Sequence, residues 1–375
     1  MLALFYVVFS LSNARLMLVT YATPHPGAMS LDERLAQSDY ARFWYAGRSL
    51  LAQHGLAVLP SPAVFPVDIT SRDAAAATAW LYPPPMDVLA MLFAWAPLPL
   101  SFWLWRVVSL LLGAIILRQA GLTGGVILAG LASLAAQHDM MGGQNGTLLG
   151  AVLVAALLLA GRRPVLAGTL AGLLCVKPQL ALALPAALLR PRFVRVIMAA
   201  MAMVAVFAAL SWAIEGAPGW WHFLSVEQHD SHIVTSQKFS VFFPAAGITP
   251  FYMLRSFGGG VRLAEVVQAA VSVLALVLVW LAWRPGVMRE VPRMALSCSL
   301  GVLAAPYGFS YDLVAFSIAM AALFSLAGEW QRLILGFLWL MGGYTITLAD
   351  YTGLLLFPLW AAWGAAMAWR LRDAG

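Results

Sequence analysis

Charge is what this chain has least of. Asp, Glu, Lys and Arg make up 10% of its 375 residues, against 62% hydrophobic residues and a mean hydropathy of +0.85. That excludes a water-soluble globular domain, which carries about 25% charged residues and could not hide so much apolar surface. Cysteine is nearly absent too. Cys175 and Cys298 both lie in apolar runs, which points to packing and excludes a disulfide framework or a zinc site. No basic residue precedes the apolar run Met1–Thr20 and no clear small-residue cleavage site follows it. The run is therefore expected to be a retained first span, with the native start upstream. There is no internal repeat and no soluble domain. What remains is an all-α, polytopic membrane helix bundle of about 11–13 spans, forming one domain over 1–375.

The basic residues order the spans. Arginines gather at Arg162-Arg163, at Arg190, Arg192 and Arg195, at Arg284, Arg289 and Arg293, at Arg332, and at Arg370 and Arg372. The positive-inside rule assigns all of them to the cytoplasmic side. Spans near 196–214 and 263–283 then leave 215–262 as a second large outer loop. Segments near 294–306, 313–328, 333–349 and 353–370 leave Tyr307–Asp312 and Asp350 outside. Between two arginine clusters, 164–189 satisfies the rule as two short helices meeting at Lys177-Pro178, because the residue before proline is pushed out of helix. Three apolar segments, near 82–97, 102–117 and 122–137, must supply an even number of crossings. The first, opening on Tyr82-Pro83-Pro84-Pro85, is expected to be re-entrant or interfacial. Tryptophans near segment ends (Trp80, Trp95, Trp103, Trp105, Trp212, Trp330) are expected as interface anchors. The net charge of +6 reflects topology, not nucleic-acid binding.

Ionisable groups at membrane boundaries are costly and point to function. Residues 21–80 form the most polar stretch and the first outer loop. Within it, 39–54 places Tyr40, Phe43, Trp44, Gly47, Leu50, Leu51 and His54 at helical spacing, with Arg42 and Ser49 elsewhere. This reads as an amphipathic interfacial helix capped by Ser38 or Asp39. Asp39 is then either an N-cap or a general base at the membrane surface. Lys177 is either a cation held for a ligand or a side chain snorkelling from a helix end. The Gly142-Gly143-Gln144-Asn145-Gly146 run is a turn whose amides Gln144 and Asn145 could also bind sugar hydroxyls. Asp312 is an N-cap or an orienting group. His229, Asp230 and His232 are too crowded for a metal site and read better as a polar lid over the acceptor entrance. His138-Asp139 reads as polar lining.

Taken in order, Ser38-Asp39-Tyr40, Tyr82-Pro83-Pro84, Gly143-Gln144-Asn145, Gly172-Leu173-Leu174 with Lys177-Pro178, Pro306-Tyr307 and Tyr311-Asp312 resemble glycosyltransferase family 87 of the GT-C membrane glycosyltransferases. The resemblance covers roughly 36–320. It implies a GT-C-like bundle with interfacial helices in the first outer loop, multi-pass in the bacterial inner membrane with its active site facing outside. It implies a polyprenyl-phosphate sugar donor, mannose by default, a lipid or glycan acceptor, and Asp39 as the catalytic carboxylate. It implies no metal and no cofactor, in keeping with the absence of any Asp-x-Asp pair; the partners are membrane lipids and the two substrates. Inverting transfer needs a base for the acceptor hydroxyl and cations or donors for the departing phosphate. Lys177, Arg42 and Arg48, with Lys238 less favoured, are the expected phosphate ligands. Tyr82, Gln144, Asn145, Tyr307, Asp312 and His232 are the expected sugar and acceptor contacts. A transporter or lipid flippase is the alternative, but repeated halves and broken helices at matching positions are missing.

Overall fold

The computed structural model describes residues 35, 38–54, 80, 82–227 and 246–374. The expected first span, the lid residues His229, Asp230 and His232, and Lys238 lie outside them. Among the described residues the chain is all-α. Its helices are α1 (Asp39–Gln53), α2 (Pro85–Ala94), α3 (Leu98–Gln119), α4 (Gly124–Leu131) and α5 (Leu134–Gly142). Next come α6 (Gly146–Leu159), α7 (Pro164–Leu173), α8 (Ala183–Leu188), α9 (Val194–His222) and α10 (Pro250–Ser256). The last are α11 (Val261–Ala282), α12 (Glu290–Ala304), α13 (Val314–Phe324), α14 (Glu329–Thr352) and α15 (Phe357–Arg370).

Among the described residues, four helical stretches, Leu98–Gln119, Pro191–Ser225, Val261–Ala282 and Glu329–Thr352, are long and apolar enough to cross a membrane unaided. At 1.5 Å per residue, a helix of this size matches a hydrocarbon core of about 30 Å. The other apolar segments are shorter. Helix α2 has ten residues, roughly half the needed length, as its three prolines lead one to expect. It packs on α1 where Gly47 meets Ala90: a Cβ on Gly47 would stand 2.5 Å from the Ala90 carbonyl carbon. Trp44 Nε1 fixes the same contact by donating to the Ala96 carbonyl at 2.8 Å.

The sequence reading needs correction in four places. The segment expected near 122–137 is two helices, because the Ser133 hydroxyl accepts from Ala136 N at 3.2 Å and starts α5 afresh. Helix α9 does not stop near 214. It runs to His222 across a kink at Gly216, which adopts φ +62° two residues before Pro218. The expected loop 215–262 therefore opens with helix and also carries α10. The segment expected to end near 349 runs on to Thr352, so Asp350 lies in the last turns of α14. Trp105 is no interface anchor, being 4% exposed inside the bundle. The break at Lys177-Pro178 is where proline should put it. Lys177 has φ −148° and ψ 71°, between the 3-10 turns Leu174–Val176 and Pro178–Ala181.

The bundle has two unlike ends. At one, arginines from many helices converge. Arg162 donates to the Ala120 carbonyl at 2.9 Å, Arg163 to Gln119 at 2.8 Å, and Arg289 N to the Arg372 carbonyl at 2.9 Å. At the other, 246–249 pairs with 308–310, Ile248 N donating to Gly308 O at 3.1 Å and Ser310 N to Ala246 O at 3.0 Å. Helix α6 begins at this second end. Its N-cap residue Asn145 makes no side-chain cap bond. The work falls to Asp139, fully buried on α5, whose two oxygens accept from Gly146 N at 2.6 Å and Thr147 N at 2.8 Å. Removing it strands two buried N–H groups. Asp139→Ala should therefore cost roughly 1–3 kcal/mol, with Asp139→Asn milder. Thermal unfolding in detergent checks this, and an Asp139→Ala variant melting like the wild type would contradict it.

Candidate active site

The residues that open and close the motif order meet at the second end. Ser38 caps α1, its hydroxyl accepting from Ala41 N at 3.3 Å. The cap is thus Ser38, and Asp39 stands at the first helical position with its carboxylate not needed for that duty. Tyr40 anchors the turn from below. Its hydroxyl hydrogen-bonds Ser101 on α3 at 2.6 Å, and its ring meets Phe102 edge-on at 5.6 Å.

The Gly-rich turn between α5 and α6 lets three elements close on one point. Gly143 is left-handed, φ +67°, and a Cβ there would lie 2.6 Å from Tyr40 Cβ and 2.8 Å from the Phe102 ring. A Cβ on Gly142 would lie 3.2 Å from the Asp39 carboxylate, and one on Gly146 would overlap the Tyr311 carbonyl. Glycine is required because no side chain fits between these surfaces. The turn's two amides are buried. Gln144 accepts from the Tyr82 hydroxyl at 3.0 Å through its side chain and from Trp105 Nε1 at 3.0 Å through its main chain. Asn145 Oδ1 accepts from Lys177 Nζ at 3.0 Å.

Lys177 does not snorkel. Its ammonium lies 2.5 Å from Asp312 Oδ1, with both side chains 2% exposed. It also sits 4.6 Å from the Tyr311 ring centroid and 5.8 Å from that of Tyr82. Asp312 spends its other oxygen locally, accepting from Phe309 N at 3.1 Å; Phe309 is the cap residue of the 3-10 turn that opens α13 and Asp312 its third residue, which corrects the N-cap reading. Tyr307 is close enough for Lys177 and Asp312 to act on it electrostatically. Burial raises the Tyr82 phenol to about 12, with Lys177 opposing and Asp312 and Asp39 reinforcing. Tyr82 therefore stays a neutral hydrogen-bond donor. Burial likewise raises Asp139 to about 6, against its bonds from Thr147 and Gly146.

Asp39 and Arg42, one turn apart on α1, both act electrostatically on Tyr311, and Asp39 acts on Tyr82 as well. The structure thus brings together Asp39, Arg42, Tyr82, Gln144, Asn145, Lys177, Tyr307 and Asp312. It does not bring Arg48. That side chain is fully buried about two and a half turns along α1, where it donates to the Ala94 carbonyl at 3.3 Å. His232 is outside the described residues. Sequence reasoning missed Trp105, one tryptophan among fifteen, and gave Asp139 the wrong task. It also left Tyr311 out of the site, though its motif was noticed.

The model of Glycosyltransferase family 87 matches residues 80–306, more than half of the chain. The match takes in Tyr82, the Gly-rich turn and Lys177, and leaves Asp39 before it and Tyr307, Tyr311 and Asp312 after it. No curated protein and no solved structure matches the chain.

A buried ion pair gains little over an apolar pair, but losing one partner leaves an uncompensated charge. Lys177→Met and Asp312→Leu should each destabilise the protein by about 3–5 kcal/mol. The double variant should recover most of that loss. A double-mutant cycle on unfolding in detergent measures it; additive losses would show that the two charges are not coupled.

Proposed function

We propose, from the premise that the chain belongs to glycosyltransferase family 87, that this membrane glycosyltransferase takes its sugar from a polyprenyl phosphate. Mannose is the default sugar, the acceptor is a lipid or glycan, and transfer occurs with inversion at the outer face of the inner membrane, without metal. The observation that supports this reading is the pairing of Asp39 and Arg42 on the first turns of α1, beside the Gly-rich turn and the tyrosines. A base and a cation, each partly exposed, stand there next to neutral hydrogen-bonding groups.

In this reading the acceptor hydroxyl oxygen attacks the anomeric carbon as its proton passes to the Asp39 carboxylate. The bond from the anomeric carbon to the phosphate oxygen breaks, and the polyprenyl phosphate leaves with the electron pair. Arg42 meets the charge that grows on that phosphate. Lys177, matched by Asp312 and buried, acts through position: it holds Asn145, and with it the Gly-rich turn, and adds positive potential behind Tyr82 and Tyr311. Gln144 and Tyr82 face the sugar as amide and phenol. Arg48 contributes packing to α1. The arginine-rich end of the bundle lies on the cytoplasmic side, which puts Asp39 on the outer side.

Asp39→Asn keeps the size of the side chain and removes the base. Transfer from polyprenyl-phosphate mannose to an envelope lipid extract should fall about 10²–10⁴-fold, with melting temperature and donor binding unchanged. Arg42→Gln should mainly weaken donor use. Transfer by Asp39→Asn at the wild-type rate would remove Asp39 from the chemistry. An absence of transfer by the wild type from any polyprenyl-phosphate sugar would remove this donor class.

A further inference from the structure

At the opposite end, four guanidinium groups form a cluster that the transfer reading does not use. Arg190 donates to the Trp280 carbonyl and Arg192 to the Trp283 carbonyl, the last-turn and cap carbonyls of α11. Two guanidiniums share one indole: Arg190 lies 5.2 Å and Arg284 4.4 Å from the Trp280 ring centroid. Arg293 lies 4.3 Å from that of Trp283. The groups are close enough to repel. Burial, then the charges of Arg192 and Arg284, lower the pKa of Arg190. Burial, then the charge of Arg192, lowers that of Arg293 as well.

The Glu290 carboxylate opposes that shift at Arg293. It lies 3.4 Å from Arg162 in a pair that is about half exposed. Among the described residues the Nε atoms of Arg190 and Arg293 find no acceptor, and each guanidinium carries five donors. An apolar track begins at the cluster. Val266, Val273, Val277 and Trp280 recur at helical spacing on α11 and are 66%, 64%, 46% and 41% exposed. The track is roughly 21 Å long, enough for an acyl chain.

We propose that Arg190, Arg192, Arg284 and Arg293 bind the phosphate of an anionic phospholipid headgroup, with an acyl chain along this face of α11. Guanidinium forks suit phosphate oxygens, and basic pockets between helices on the cytoplasmic side take such headgroups. The apolar track distinguishes a lipid from free phosphate.

The test is native mass spectrometry of the full-length protein in detergent, titrated with phosphatidylglycerol, phosphatidylethanolamine or inorganic phosphate. Phosphatidylglycerol should be retained over both others. Arg284→Gln is exposed and leaves the Arg190 and Arg192 carbonyl bonds intact; it should weaken that retention about fivefold, and Arg190→Gln with Arg284→Gln about 30-fold. Arg332→Gln with Arg370→Gln, at the same end but outside the cluster, should change nothing. Equal loss in that control would mean a general charge effect. Retention unchanged in the cluster variants, or inorganic phosphate bound as well as phosphatidylglycerol, would overturn the proposal.

Discussion

The structure depends on one buried ion pair. Lys177 and Asp312 lie in an apolar bundle where an isolated charge is very costly, so each is tenable only beside the other. Their backbones are both irregular. Lys177 sits at the break between two short helices and Asp312 in the 3-10 turn that opens α13. The pair therefore joins two places where the helical pattern fails. Through Asn145 it also joins the Gly-rich turn that starts α6. Three interruptions of regular structure become one rigid junction.

The charged and polar groups at this end are held in different ways. Lys177 and Asp312 cancel, and Asp139 is held by two N–H groups of α6. Tyr82 and Tyr307 are kept neutral by burial. Asp39 and Arg42 are the partly exposed pair, on a helix whose cap bond Ser38 supplies and whose seat Tyr40 fixes. The glycines at 142, 143 and 146 bring this helix and the Tyr311 carbonyl onto the same turn. This end of the bundle thus has a wall of polar groups held by one another, with two partly exposed charges beside it.

What the sequence revealed follows from what its residues force locally. Pro178 marked the break, and three prolines marked α2 as no spanning helix. Arginine clusters identified one end of the bundle, because charge can lie only at an end. The order of short motifs carried the site, since those motifs are the polar interruptions. The misreadings also share a cause. In a helix apolar on every side, periodicity says nothing of length or pairing. Nothing therefore marked that α9 continues past Gly216, or that Ser133 restarts a helix inside 122–137. Arg48 looked like a ligand because it is an arginine near Asp39, yet it turns into the α1–α2 contact. Asp139 looked like lining because its partners, two backbone N–H groups, leave no trace in side-chain pattern.

The two ends differ in how they treat cations, and the difference is instructive. At the site end the buried charges are matched, Lys177 by Asp312 and Asn145, and Asp139 by two backbone N–H groups. At the other end arginines outnumber carboxylates and are steadied by indole rings and helix-terminal carbonyls. Such contacts orient guanidiniums without neutralising them. Charge is held there in excess. At the site end it is held in balance, Lys177 against Asp312. A chain so poor in charge thus gathers arginines at one end and pairs its buried ions at the other.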